Sequence, residues 1–198
     1  MADTSSPAEG GFDFPDRLVG VWGGSDDYRA EVERLTGSAA VRMLPVEGGP
    51  ATVLAPAPQS GDLSDLQQQL RSAVTDADEA AVYGHTASNV VSGSGALAEA
   101  SFLMVVRLYA DDKWRNSFRD WLHEEHLTRQ PTTGGVVWAH LYETVDDDRW
   151  HFLNLWGGDD DRIFDSAEWA EIRDTDRFFT VSGVFSECRS VRQIFRIG

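Results

Sequence analysis

"GVVWAHLYETVDDDRWHFLNLW", residues 135 to 156, is the stretch on which the fold turns. Two runs dense in β-branched and aromatic residues, 135–145 and 150–156, flank "DDDR" (146–149), a polar cluster suited to a turn. That pattern is an antiparallel hairpin. Upstream, "SFLMVVRLYA" (101–110) reads as a strand, and "KWRNSFRDWLHEEHLTRQ" (113–130) as a helix that stops near Pro131 and Gly134. Downstream, Gly157 and Gly158 break the chain. "DDRIFDSAEWAEIRD" (160–174) opens with acids, which suit a helix N-terminus, and continues with helical spacing. "SVRQIFRI" (190–197) closes as a strand. The order β-α-β-β-α-β is the split βαβ pattern of a ferredoxin-like sheet.

The first half repeats the order with shorter elements. "DRLVGVW" (16–22), "AAVRMLPVE" (39–47), "ATVLAP" (51–56) and "AAVYGHTA" (80–87) read as strands, and "SDDYRAEVERLTG" (25–37) and "SDLQQQLRSAV" (64–74) as helices. The expected class is α+β with tandem ferredoxin-like halves. The boundaries are a loose tail over 1–13, a degenerate half over 14–90, a linker over 91–99 within the small-residue stretch 87–100, and a second half over 100–198. A local echo joins "VGVWGGSDDYRAEVE" (19–33) to "LNLWGGDDDRIFDSAEW" (153–169). Duplication explains it, and so does a convergent strand-to-helix turn.

Charge narrows the partners. The chain of 198 residues carries a formal charge of −16, which repels nucleic acid and anionic membrane surfaces. No apolar run approaches the roughly 18 residues of a membrane span. The start, "MADTSSPAEGG", lacks the basic and apolar parts of a secretory signal. Cys188 is the single cysteine, so the expected location is cytoplasmic, with no disulfide framework. Lys113 is the single lysine. A carboxylate-rich, lysine-poor surface suits either a high-salt habitat or an arginine-biased genome. "GSGALAEA" (93–100) lacks the spacing and the preceding strand of a nucleotide loop, and no G-x-S-x-G elbow is present.

Chemistry concentrates in "FRDWLHEEHLTRQ" (118–130). On a wheel of 3.6 residues per turn, Trp114, Phe118, Trp121 and Leu122 form an apolar stripe. Glu125 falls within it, His126 borders it, and His123 and Glu124 point away. The two histidines are three apart, unlike the H-E-x-x-H zinc arrangement, and a third ligand would have to come from His140 or His151. No metal is therefore expected. A carboxylate on an apolar stripe must be paired, protonated or beside a cavity, or else reach solvent at a frayed helix end. A histidine beside it is suited to acid–base work near neutral pH.

The spacing Phe118-x-x-Trp121-x-x-x-x-His126 resembles the first-helix signature of the EthD-like families of dimeric α/β-barrel proteins. "DSAEWAEIRDTDRFF" (165–179) is similar to their second helix, at Ser166, Glu168, Asp176 and Phe178. Thr128 stands where the family often has proline. The resemblance covers residues 101 to 197 and implies a sheet that packs against a second one to close a barrel. It implies a cofactor-independent isomerase, cyclase, lyase or oxygenase acting on a small aromatic or lactone-like compound. Members without known activity and heme-binding relatives belong to the same families.

Strand alternation supplies the remaining candidates. Trp138, His140 and Tyr142 share one face of 135–145, and Asn154 is grouped with them as a hydrogen-bonding group. This face suits either an aromatic ligand or plain sheet-to-sheet packing. Arg107 is placed to hold a ligand carboxylate or phenolate, or to pair with one of the acids. The leading expectation has His126 moving a proton and Glu125 orienting it. Trp121, Trp138, His140, Tyr142, Asn154 and Arg107 bind a small apolar or aromatic ligand, without a cofactor. The alternatives are a non-catalytic binding or structural barrel, and heme held by His126, His140 or His151. The barrel closes either in a homodimer or within one chain as a pseudo-dimer.

Overall fold

A computed structural model describes residues 13–24, 28–145, 151–182 and 189–197. All but the last residue of the expected tail over 1–13, the turn over 146–149, Trp150 and Cys188 lie outside the described residues. The first half runs β1 (Arg17–Trp22), α1 (Arg29–Thr36), β2 (Val41–Met43), β3 (Thr52–Pro56), α2 (Leu63–Ala73) and β4 (Glu79–Val90). The second begins with β5 (Phe102–Tyr109) and α3 (Asp112–Trp121). A wide turn, Leu122–His126, and the single helical turn α4 (Leu127–Arg129) follow. It continues through β6 (Val136–Thr144), β7 (Phe152–Gly158), α5 (Ala167–Arg173), α6 (Asp176–Ser182) and β8 (Arg189–Arg196).

All eight strands belong to one antiparallel sheet in the order β2-β3-β1-β4-β6-β7-β5-β8. Each half contributes its strands in the ferredoxin-like sequence, and β4 and β6 join the halves along a seam from Tyr83 opposite Thr144 to Val90 opposite Trp138. The sheet curls until its ends meet. Pro45, just past β2, bridges to Phe195 of β8, and the Val46 amide donates to Ile194 O at 2.7 Å. The barrel therefore closes within one chain.

The interior of the barrel is filled. Trp22, Tyr83, Trp138, Tyr142 and Phe195 are fully buried there among Leu18, Leu54, Leu103 and Leu155. Arg107 of β5 lies in this core beneath Trp22, 4.7 Å from the ring centroid, and its guanidinium donates to Glu79 of β4 at 2.6 Å. This buried ion pair ties the two halves across the barrel.

On the outer face the two halves differ. α1 and α2 cover the first half with aliphatic side chains such as Val32, Leu66 and Leu70. Gln67 fills the remaining polar need, donating to Ala80 O and accepting from the Val82 amide. The second half is covered by large aromatics: Phe118 and Trp121 of α3, Phe164, and Trp169 of α5.

Several expected elements move. The strand expected over 39–47 shrinks to three residues, because Pro45 has no amide for a ladder. The strand expected to end at 87 runs on to Val90, since pairing with β6 supports it. Within 91–99 the chain is pinned rather than loose: the Glu99 carboxylate accepts from Ser94, Gly95 and Ala96 amides. Gly157 and Gly158 do not break the chain but lie inside β7 and pair with β5 and β6. Their counterparts in the echo, Gly23 and Gly24, do leave the strand, at φ of 78° and 85°. The two Trp-Gly-Gly runs thus serve different geometries. The helix expected over 160–174 divides into a short 3-10 turn, Asp161–Asp165, and α5, because Ser166 restarts it by accepting from the Trp169 amide at 3.0 Å.

Candidate functional site

The helix carrying "LHEEH" is not a regular α-helix. Over Leu122–His126 it widens to a π-turn, with the Leu127 amide donating to Leu122 O, five residues back. The Thr128 hydroxyl shares its proton between Glu124 O at 2.9 Å and Glu125 O at 3.0 Å, just past the widened turn. The extra residue shifts everything after Trp121 relative to a 3.6-residue wheel. His126 moves onto the aromatic stripe, and Glu125 moves off it.

His126 consequently stacks on Trp121, with ring centroids 4.6 Å apart and planes 24° from parallel. The edge of Trp156 meets it at 5.0 Å and 72°. Neither imidazole nitrogen hydrogen-bonds a described residue, and Nδ1 is buried. Burial, with the nearby Arg173 guanidinium adding to it, pushes the imidazole down to about 3, so the ring is neutral at ordinary pH. Glu125 instead pairs with the exposed Arg129, at 3.4 Å, and does not line the cavity. Glu124 is exposed and pairs with Arg177 of α6 at 2.8 Å. His123 is partly exposed. Trp114, expected on the stripe, is 37% exposed beneath Lys113.

Between this helix, α5, α6 and the outer face of the sheet lies a cavity of about 390 Å³. Its floor follows from strand register. Val106 stands between Asn154 and Arg192, Met104 between Trp156 and Ile194, and Leu108 between Phe152 and Ser190. Trp121, His126, Trp169, Arg173 and Phe178 enclose it from the helices. Gln130 fixes the two helical layers together by donating to Trp169 O at 2.7 Å. Arg115 and Arg119 anchor α3 to the sheet through Glu143, each at 2.5 Å.

The expected site splits across the sheet. His126, Trp121 and Asn154 meet at the outer cavity. Trp138, His140, Tyr142 and Arg107 lie on the opposite face, inside the barrel. The physical reason is register. Asn154 pairs with Leu141, so its side chain shares the face of Leu141 and opposes those of His140 and Tyr142. His140 is packed against Phe14 and Trp138 with its Nε2 3.1 Å from Gly95 O, and desolvation pushes its ring down to about 4. The Tyr142 hydroxyl donates to Pro15 O at 2.9 Å, and burial raises its pKa. Trp138 is fully buried, and Arg107 is engaged with Glu79. His151 stacks on Tyr109 at 4.8 Å and does not line the cavity.

Sequence reasoning missed Trp156, Trp169, Arg173 and Arg192 as cavity residues. For one pair a signal existed: Trp169 and Arg173 are four apart on a helix and therefore share a face. It also missed α6, which brings Phe178. Among the described residues, no group of three or more His, Cys, Asp or Glu side chains is placed to hold a metal ion, and no helix is long and apolar enough to cross a membrane.

No family model matches the chain, and no curated protein matches its sequence. Solved structures do. An anthrone oxidase-like protein superposes with a TM-score of 0.61 at 8% identity, covering 92% of this chain and 90% of the other. A heme-degrading enzyme from Listeria monocytogenes gives 0.54 at 11% identity, covering 92% and 99%. A chlorite dismutase from Candidatus Nitrospira defluvii, an R173K mutant, gives 0.53 at 14%, covering 91% and 90%. At such identities the likeness is one of fold: two ferredoxin-like halves in a single polypeptide, their strands joined in one curled antiparallel sheet.

Proposed function

We propose that this protein is a cofactor-independent enzyme that binds a small, mostly aromatic or lactone-like molecule in the outer cavity and moves a proton with His126. One observation carries the reading. Of the buried side-chain polar atoms that lack a hydrogen-bond partner among the described residues, three cluster: His126 Nδ1, Asn154 Oδ1 and Trp156 Nε1. All three belong to side chains that line the same cavity. Buried polar groups are normally satisfied, and several left open around one cavity are matched to a ligand or to ordered water. The Phe118, Trp121 and His126 spacing supports the EthD-like reading.

The chemistry follows from the neutral imidazole. His126 is a proton acceptor at ordinary pH. The imidazolium formed in a dry site is stabilised by the negative charge left on the substrate, so proton transfer is coupled to formation of an ion pair. The Asn154 amide oxygen accepts from a substrate hydroxyl, and the Trp156 indole N–H donates to a substrate oxygen. Glu125 is outside this constellation and has no step in it.

A non-catalytic binder is the second reading, favoured by how far the basicity of His126 is pushed below neutral. Heme fits less well. An axial histidine ordinarily donates its second ring N–H to an acceptor, and Nδ1 of His126 has none. His140 and His151 lie outside the cavity.

Trp121, Trp156 and Trp169 make tryptophan fluorescence the natural screen for small aromatic and lactone compounds. Compounds that bind are then assayed for conversion. His126→Ala should lower turnover by a factor of about 10² or more while His123→Ala changes little. Equal turnover in the two variants would remove His126 from the reaction. Binding without conversion by the wild type would leave the binder.

A further inference from the structure

We infer that the ligand of the outer cavity is an aromatic carboxylate, its ring held among Trp121, Trp156 and Phe178 and its charge by Arg173 and Arg192. The inference deepens the proposed function and rests on its reading that the cavity holds a small aromatic molecule.

The argument begins with charge. The chain carries −16, yet among the described residues no acid lines this cavity, and the two charged residues that do are both arginines. A surface so acidic repels anions at long range, so holding one requires local cations. Arg192 projects from β8 beside Val106, and Arg173 from the last turn of α5, so the two reach the cavity from the sheet and from the helix layer.

Each guanidinium is oriented by partners that leave donors open. Arg173 donates from Nε to Asp174 at 2.8 Å, and neither terminal nitrogen has a partner among the described residues. That leaves the edge formed by the two terminal nitrogens, which binds a carboxylate end-on. Its guanidinium also lies 5.2 Å from the Phe178 ring, which fixes the plane. Arg192 donates Nη1 to Asp165 at 2.8 Å and Nε to Met104 Sδ at 3.0 Å, leaving Nη2. Both side chains are 38% exposed, at the mouth rather than the floor. The aromatic walls lie deeper, so a ligand enters ring first and leaves its charged end at the arginines. A carboxylate there also offsets the Arg173 field at His126, which favours the imidazolium the proposed proton transfer forms.

The test compares naphthoate with its neutral isostere naphthamide, by tryptophan fluorescence titration of the full chain at fixed, low ionic strength. Naphthoate should bind at least about tenfold more tightly, in the range of one charge-assisted contact. Arg173→Gln and Arg192→Gln should each reduce that preference several-fold, by weakening naphthoate more than naphthamide. Arg173→Lys should retain part of it. Arg162→Gln, at an exposed arginine paired with Asp160, should match the wild type. Equal binding of both compounds, abolished for both by Trp121→Ala, would overturn the carboxylate assignment and leave the cavity reading standing. Binding of neither compound, or binding unaffected by Trp121→Ala, would overturn both. Circular dichroism of each variant establishes that it is folded before it is scored.

Discussion

At the scale of single residues, two histidines are withdrawn from solvent for different reasons, His140 buried and His126 partly so. His126 sits between two tryptophans at a cavity, and His140 inside the barrel among Phe14 and Trp138. Both rings are held below the ordinary histidine value of 6.5, to about 3 and about 4. The sign of the consequence is fixed. Above 6.5 both states are neutral and the full stability is present. As pH falls below 6.5 the unfolded chain takes up protons that the fold refuses, and stability is lost. Each histidine contributes a slope of at most about 1.4 kcal/mol per pH unit. Urea unfolding between pH 7 and pH 5 should show this acid-side loss, and His126→Phe and His140→Phe should each make it shallower. Slopes unchanged in both variants would contradict neutral burial. That His126 rather than His123 lies against the aromatic stripe was legible from its place beside it. The role given to Glu125 was not, because the wheel assumed a regular helix.

At the scale of elements, the π-turn and the glycines of β7 decide more than propensity does. Gly157 lies directly opposite Trp138, and a Cβ there would stand 2.3 Å from the indole Cε2. The indole is fully buried, so it has no room to yield. Gly157→Ala should therefore cost about 1–3 kcal/mol, read as a lower urea midpoint with an unchanged slope. Gly84→Ala, on β4, adds a methyl with nothing within 4 Å and should stay within about 0.5 kcal/mol. A Gly157→Ala midpoint equal to that of Gly84→Ala would refute the packing argument. The strand density of 150–156 and the turn propensity of glycine were both real signals. Backbone pairing on both sides of β7 outweighed the second.

At the scale of the whole molecule, the surface carries far more acid than base. Self-repulsion should lower the thermal midpoint at low ionic strength and relax as salt screens it, so the midpoint should rise across a potassium chloride series. A flat or falling midpoint would show that the carboxylates are already balanced by local partners such as Arg115 and Arg119 around Glu143. The interior gives salt little to act on, since the buried Arg107–Glu79 pair is shielded from solvent.

The sequence alone determined the strand order of both halves and the helices of the first, because hydrophobic periodicity and turn residues are local properties. It also marked the aromatic helix and His126. It could not settle closure of the barrel within one chain, because the Pro45–Phe195 bridge joins residues 150 positions apart. Nor could it place Asn154. The residue alternates correctly along its own strand, but its face relative to His140 is set by hairpin register. Register depends on which pairing buries both faces, so only the tertiary structure moved Asn154 to the side of His126 and left His140 inside the barrel.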